Sequence, residues 1–150
     1  MAARPRAIIL HGTRSGRGHS THAEFTATAA YVRNGADGLG WQVTVGDDEI
    51  AIHLPPDHWG WHCRSPWSEL YLGIEFAQPT VDCAISDAQV RAACWWLREV
   101  AMVCWPDLPL ALIAHSEIDP GIRDGKTDVF PRGDDRMNDL RLRMLAILED

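Results

Sequence analysis

Two short apolar runs, each closed by a histidine, constrain this chain more than any other feature. Ala7-Ile8-Ile9-Leu10 leads into His11, and Leu110 to Ala114 leads into His115. Runs of this kind read as strands buried on both faces, so each would carry an imidazole to a sheet edge. A turn-rich loop with Pro120, Gly121 and Gly125 follows His115 and returns Lys126 and Asp128. Residues two apart in extended chain point to the same side, so this pair can face one site. Two histidines at strand ends with a loop carboxylate make an open metal site. Zinc catalysis uses three such protein ligands and leaves a fourth position to water. His11, His115 and Asp128 are therefore the candidate ligands. Taken singly, each also reads as a surface polar residue closing a strand; their shared context groups them.

The remaining pattern alternates strands and helices. Thr21-His22-Ala23-Glu24 matches a capping box and predicts a helix from about Thr21, carrying Phe25, Ala29 and Val32 and ended by Asn34-Gly35. Gln42 to Val45 and Ile50 to Leu54 flank Gly46-Asp47-Asp48-Glu49 as a hairpin, stopped by Pro55-Pro56. Leu70 to Phe76 reads as a strand with Leu72 and Ile74 on one face and Gly73 and Glu75 on the other. Ser86-Asp87-Ala88-Gln89 is a second capping box. It opens a helix with Val90, Cys94, Leu97, Ala101 and Cys104 at helical spacing, terminated by Pro106. Arg136 to Leu148 is a last amphipathic helix with Leu140, Met144 and Ile147 inward. The order β-α-β-β-β-α-β-α predicts an α/β domain, a mixed sheet with helices packed on it. The 150 residues are expected to form that one domain.

Other residues could serve the same site. Glu75 ends an apolar strand, where a carboxylate is either paired or aimed at a site; beside an activated water it would act as general base. Lys126 would stabilise a developing oxyanion, although a loop lysine is also commonly just solvated. His53, His58 and His62 form a rival cluster, and His58 and His62 have the spacing of a helical zinc pair. Pro55, Pro56 and Gly60 oppose a helix there. Trp59, Trp61 and Trp67 read equally as the wall of a sugar or peptide groove and as core. His62 and Cys63 point apart in extended chain, which argues against a nucleophile-base pair.

Charge and composition exclude several classes. The net charge of −7 lacks the basic face that nucleic-acid binding needs, and it does not favour holding an anionic polymer by charge alone. Cys63, Cys83, Cys94 and Cys104 show no C-x-x-C spacing and read as reduced structural thiols. The start, Met1 to Arg6 with four apolar residues after it, matches no signal peptide, and no run approaches membrane-spanning length. The expectation is a chain made and folded in a cytoplasm.

In their order, Ile8-Ile9-Leu10-His11, Gly60-Trp61-His62, Leu72-Gly73-Ile74-Glu75, Ile113-Ala114-His115 and Lys126-Thr127-Asp128 resemble the zinc N-acetylmuramoyl-L-alanine amidases. This type 2 amidase family includes phage lysozymes with amidase activity and peptidoglycan-recognition proteins, and the resemblance runs from Ala7 to Asp128. It implies one zinc on His11, His115 and Asp128, with Glu75 as catalytic base and Lys126 at the oxyanion. It also implies that His62 lies beside the substrate groove, where Trp59 and Trp61 would join it. The implied reaction cleaves the amide between the muramic acid lactyl group and the L-alanine of the stem peptide. Where many relatives carry Tyr-His after the first helix, this chain has Trp41-Gln42, which shifts proton transfer onto Glu75. Val129-Phe130 replaces a frequent Pro-Gly, and Trp67-Ser68-Glu69 replaces an Asn-rich approach to the glutamate strand. The expected protein is a monomeric peptidoglycan hydrolase of the phage endolysin type, acting on the wall after release, with any tight wall binding left to a separate domain. The alternatives are an intracellular amidase recycling muropeptides and a non-catalytic peptidoglycan-binding module.

Overall fold

The structure, a computed structural model, describes residues 3–35 and 40–150. Met1 and Ala2, part of the start read above as no signal peptide, lie outside the described residues. The first apolar run forms β1 (Ala7–Gly12), which is buried throughout and sits inside a five-stranded sheet. The others are β2 (Val43–Gly46), β3 (Glu49–Ile52), β4 (Tyr71–Phe76) and β5 (Leu112–Ala114), in the order β3-β2-β4-β1-β5. β1 pairs in parallel with β4 and β5, β2 with β4, and only the expected hairpin of β2 and β3 is antiparallel. The mixed sheet is therefore the one the pattern predicts. Its parallel strands send their carboxyl ends to one edge, where ligands gather in open α/β sheets.

Alternation along the strands separates two environments. Ile8, Leu10, Val43, Val45, Leu72, Ile74 and Phe76 join the main core. That core is covered by α3 (Asp87–Trp96) and α6 (Asp135–Leu148) through Trp96, Met137, Leu140 and Met144. Ile9 faces the other way, into a smaller cluster with Cys63, Ile118, Trp67, Tyr71 and Ile113. His11 and Glu75, two and four residues along their strands from Ile9 and Tyr71, share this second face.

The helices start where the sequence offers caps, with one exchange. Ser86 and Gln89 form both hydrogen bonds of the predicted capping box at α3. At α1 (Thr21–Arg33) the cap is Ser20 rather than Thr21. Glu24 is withdrawn from capping because it accepts hydrogen bonds from the amide and hydroxyl of Ser15. It is the fully buried residue of α1, while Phe25, Ala29 and Val32 are only half-buried. The long second helix is interrupted by a π turn, Leu97–Ala101, before resuming as α4 (Met102–Cys104). Two short helices were not expected. They are α2 (Trp67–Leu70), just before β4, and α5 (Asp119–Arg123), inside the loop that follows β5. β5 begins at Leu112, two residues into the apolar run, and ends at Ala114, where His115–Glu117 turns into a 3-10 helix. The four cysteines are free. No helix among the described residues is long and apolar enough to cross a membrane.

Candidate metal centre

The carboxyl edge of the sheet brings three side chains to one point. His11 Nδ1 lies 3.1 Å from His115 Nδ1 and 3.2 Å from Asp128 Oδ2, and His115 Nδ1 lies 3.1 Å from the same carboxylate oxygen. All three residues are buried. Donor atoms on a tetrahedral zinc, at bonds of about 2.0–2.1 Å, stand about 3.3 Å apart, so this triangle has the size such an ion needs. Two imidazole nitrogens and one carboxylate oxygen are also the donor types zinc takes. The residues fit the ion. Among the described residues this is the one group of three such side chains whose donor atoms lie within 4.8 Å of one another.

Each ligand is held by backbone rather than by chance. His11 is the fifth residue of β1 and pairs in register with Glu75 of β4. His115 opens the turn after β5, and α5 packs so closely on it that only glycine fits at 121. A β-carbon there would lie 1.7 Å from the His115 carbonyl oxygen. The Asp128 segment is fixed from two sides. Ser116 N–H donates to the Asp128 carbonyl at 3.0 Å, and Ser116 Oγ donates to Phe130 O at 2.7 Å. Arg14 Nη2 donates to the carbonyls of Thr127 and Val129, the two residues flanking the ligand.

The electrostatics suit a cation. Burial pushes the Glu75 carboxyl well above its usual range, and the nearby Asp128 charge pushes the same way, against Arg14 and Lys126. Burial alone would raise Asp128 too, but the two imidazoles at its Oδ2 outweigh it and hold the group below the usual carboxylate range. Burial keeps His11 below the ordinary histidine value, hence neutral and able to offer a lone pair. A buried Asp128 carboxylate held in its charged form beside His11 would be balanced by a divalent ion.

The triangle opens into a cleft of about 860 Å³. His11, His62, Glu75, His115, Lys126 and Asp128 all line it, so six of the eight residues singled out from the sequence meet there. Trp59 and Trp61 do not. They are about half exposed and stand outside the lining, and the aromatic walls are Tyr31 of α1 and Trp41. Trp41 donates its indole N–H to Thr44 Oγ1 at 2.8 Å, and Thr44 in turn meets His53 Nε2 at 2.8 Å. The rival histidine cluster is thereby dispersed: His53 sits on Thr44, His58 on Asp57, and His62 on His11. Cys63 is no nucleophile, because burial pushes its thiol up to about 12.

Sequence reasoning missed Arg14, Ser15 and Glu24. The loop after β1 looked merely polar, yet Arg14 and Glu24 line the cleft and Ser15 ties the loop to α1. A charged residue inside a capping-box match that another cap makes redundant was the available signal.

Comparison with known proteins agrees with this geometry. The family model described as N-acetylmuramoyl-L-alanine amidase (Amidase_2) matches residues 1–130. No curated protein is similar enough to this sequence to match. Solved structures share the fold at low identity. The catalytic domain of XlyA is 23% identical, with 96% of this chain and 88% of that chain covered and a TM-score of 0.66. A selenomethionine derivative of AmpD is 21% identical, with 97% and 86% covered and a TM-score of 0.66. The bumblebee recognition protein PGRP-SA is 20% identical, with 77% and 72% covered and a TM-score of 0.59.

Proposed function

We propose that this chain, which belongs to the N-acetylmuramoyl-L-alanine amidase family, is a zinc-dependent hydrolase of the amide joining N-acetylmuramic acid to L-alanine in peptidoglycan. The observation that carries the reading is the convergence of His11, His115 and Asp128 beside Glu75 at the floor of the cleft. His11, His115 and Asp128 would hold the ion. The chemistry it supplies when bound is Lewis acidity, which polarises the scissile carbonyl and acidifies the attacking water. Glu75, facing the same space, takes the proton of that water and delivers it to the leaving amine. Lys126, returned to the cleft rim by the α5 loop, places its ammonium near the developing oxyanion. Tyr31 and Trp41 give the cleft apolar walls against which sugar or peptide can lie. We assign the domain an endolysin-type lytic role, with muropeptide recycling as the second setting; a complete ligand set with a carboxylate beside it favours catalysis over mere binding.

The test pairs metal analysis of the purified protein with release of new L-alanine amino termini from peptidoglycan, before and after chelation. One zinc per chain and chelator-sensitive release are expected. Zinc without release would make the domain a binding module. A protein that holds no zinc and releases no L-alanine termini would break the proposal.

A further inference from the structure

We propose that His62 is a positioning residue: held on the Tyr71 carbonyl, its ring fixes the His11 ring through His11 Nε2, leaving His11 Nδ1 to serve the ion, and it makes no hydrogen bond to substrate. The inference rests on the metal-site reading above, but its premises are hydrogen bonds within this chain. His62 Nε2 lies 3.2 Å from the carbonyl oxygen of Tyr71, and His62 Nδ1 lies 3.0 Å from His11 Nε2. A carbonyl oxygen can only accept, so His62 Nε2 carries the hydrogen. His62 is buried, and the nitrogen of His11 that it meets is the one turned away from Asp128 and His115. An imidazole that gives Nδ1 to an ion keeps its hydrogen on Nε2. With the ion bound, His11 Nε2 would therefore donate and His62 Nδ1 accept; without it, Asp128 Oδ2 competes for a hydrogen on His11 Nδ1. The opposite assignment would set a lone pair of His62 against the Tyr71 carbonyl.

The surroundings hold the His62 ring in that place. The rings of His62 and His11 meet edge to face at 5.2 Å. Ser68 Oγ accepts from the backbone N–H of His62 at 3.1 Å and of Cys63 at 3.0 Å, which is the work α2 does at the end of the loop. Gly73 leaves room for the ring: a β-carbon there would lie 3.0 Å from His62 Nδ1. With both nitrogens occupied inside the protein, His62 has none left for a ligand in the cleft, although its ring lines it.

Two measurements test this. In zinc-loaded protein, nitrogen-15 shifts of the histidine rings should report His62 as the Nε2–H tautomer with Nδ1 accepting; the Nδ1–H form would overturn the proposal. Zinc affinity, read by competition with a chromophoric chelator, should fall about 10- to 100-fold in His62→Leu, the usual effect of losing an outer hydrogen-bond partner. In His62→Asn, whose Oδ1 can stand in for Nδ1 as acceptor, it should largely recover. Affinity unchanged in His62→Leu would overturn the inference. So would a His62→Asn enzyme whose KM for peptidoglycan fragments rises many-fold at full zinc occupancy. If the unaltered protein binds no zinc, the amidase reading fails and this inference with it; zinc binding that is unchanged in His62→Leu fails the inference alone.

Discussion

Glu75 lies across the β1–β4 ladder from His11, buried, with Asp128 working against its charge and Arg14 and Lys126 for it. Glu75→Gln keeps the shape and removes the proton acceptor. Turnover should fall by about 10²- to 10⁴-fold, the usual contribution of a general base. Zinc affinity and thermal stability should be held, since burial already disfavours the charged form; near-normal release of L-alanine termini would remove Glu75 from the mechanism. Asp128→Asn should instead weaken zinc affinity, read by chelator competition, because an amide oxygen is a poorer ligand than a carboxylate. These residues were legible because ligand types followed strand runs. His62 lines the cleft, and its contact with His11, 51 residues away, could not be read from the sequence because it is set by a loop path that no local pattern encodes. Trp59 and Trp61, on the same loop, stand exposed outside the cleft lining.

At the scale of elements, β4 is constrained on both faces. A methyl at Gly73 would meet Trp41 Cβ at 2.9 Å as well as His62, so Gly73→Ala should cost about 1–3 kcal/mol and shift the urea midpoint accordingly. The loop after β1 depends on Glu24. Burial would raise its carboxyl, but hydrogen bonds from Ser15 and Thr13 and the nearby His19 outweigh this and hold it below the ordinary value. A depressed carboxyl adds stability that is complete above its unfolded pKa of about 4.3. That stability is lost as pH falls through the lower folded value. Glu24→Gln should therefore be about 1 kcal/mol less stable at pH 7 and nearly level with the unaltered protein at strongly acid pH. A gap constant across that range would show that the carboxylate charge is not responsible. The long helices were legible from Ser86-Gln89 and the spacing of Leu140 and Met144. The short α2 and α5 were not, because helices of four or five residues have no period to display and depend on what they pack against.

For the whole molecule, the ligand set joins position 11 to positions 115 and 128, so only the folded chain presents it. Zinc should accordingly raise the melting temperature. An ion at 100 times its Kd adds about 2.7 kcal/mol, or about 5–11 °C for a chain of this size, and a chelator should reverse the rise. The element order and the mixed sheet could be read from periodicity. The lateral order of the strands could not, because parallel pairing is decided by crossovers rather than by turns. A different consequence follows from the π turn. There Met102 N–H reaches back five residues to Leu97 O, so the helix carries one residue more than its length along the axis requires. Val90, Ala93 and Cys94 before it and Ala101 at its end nevertheless all face the core. The helix thus contains a spare residue. Removing Val100 should close the turn into ordinary α-helix and leave a protein that still melts cooperatively. Removing Ala92 would swing everything after it by about 100°, and that shortened chain should not fold.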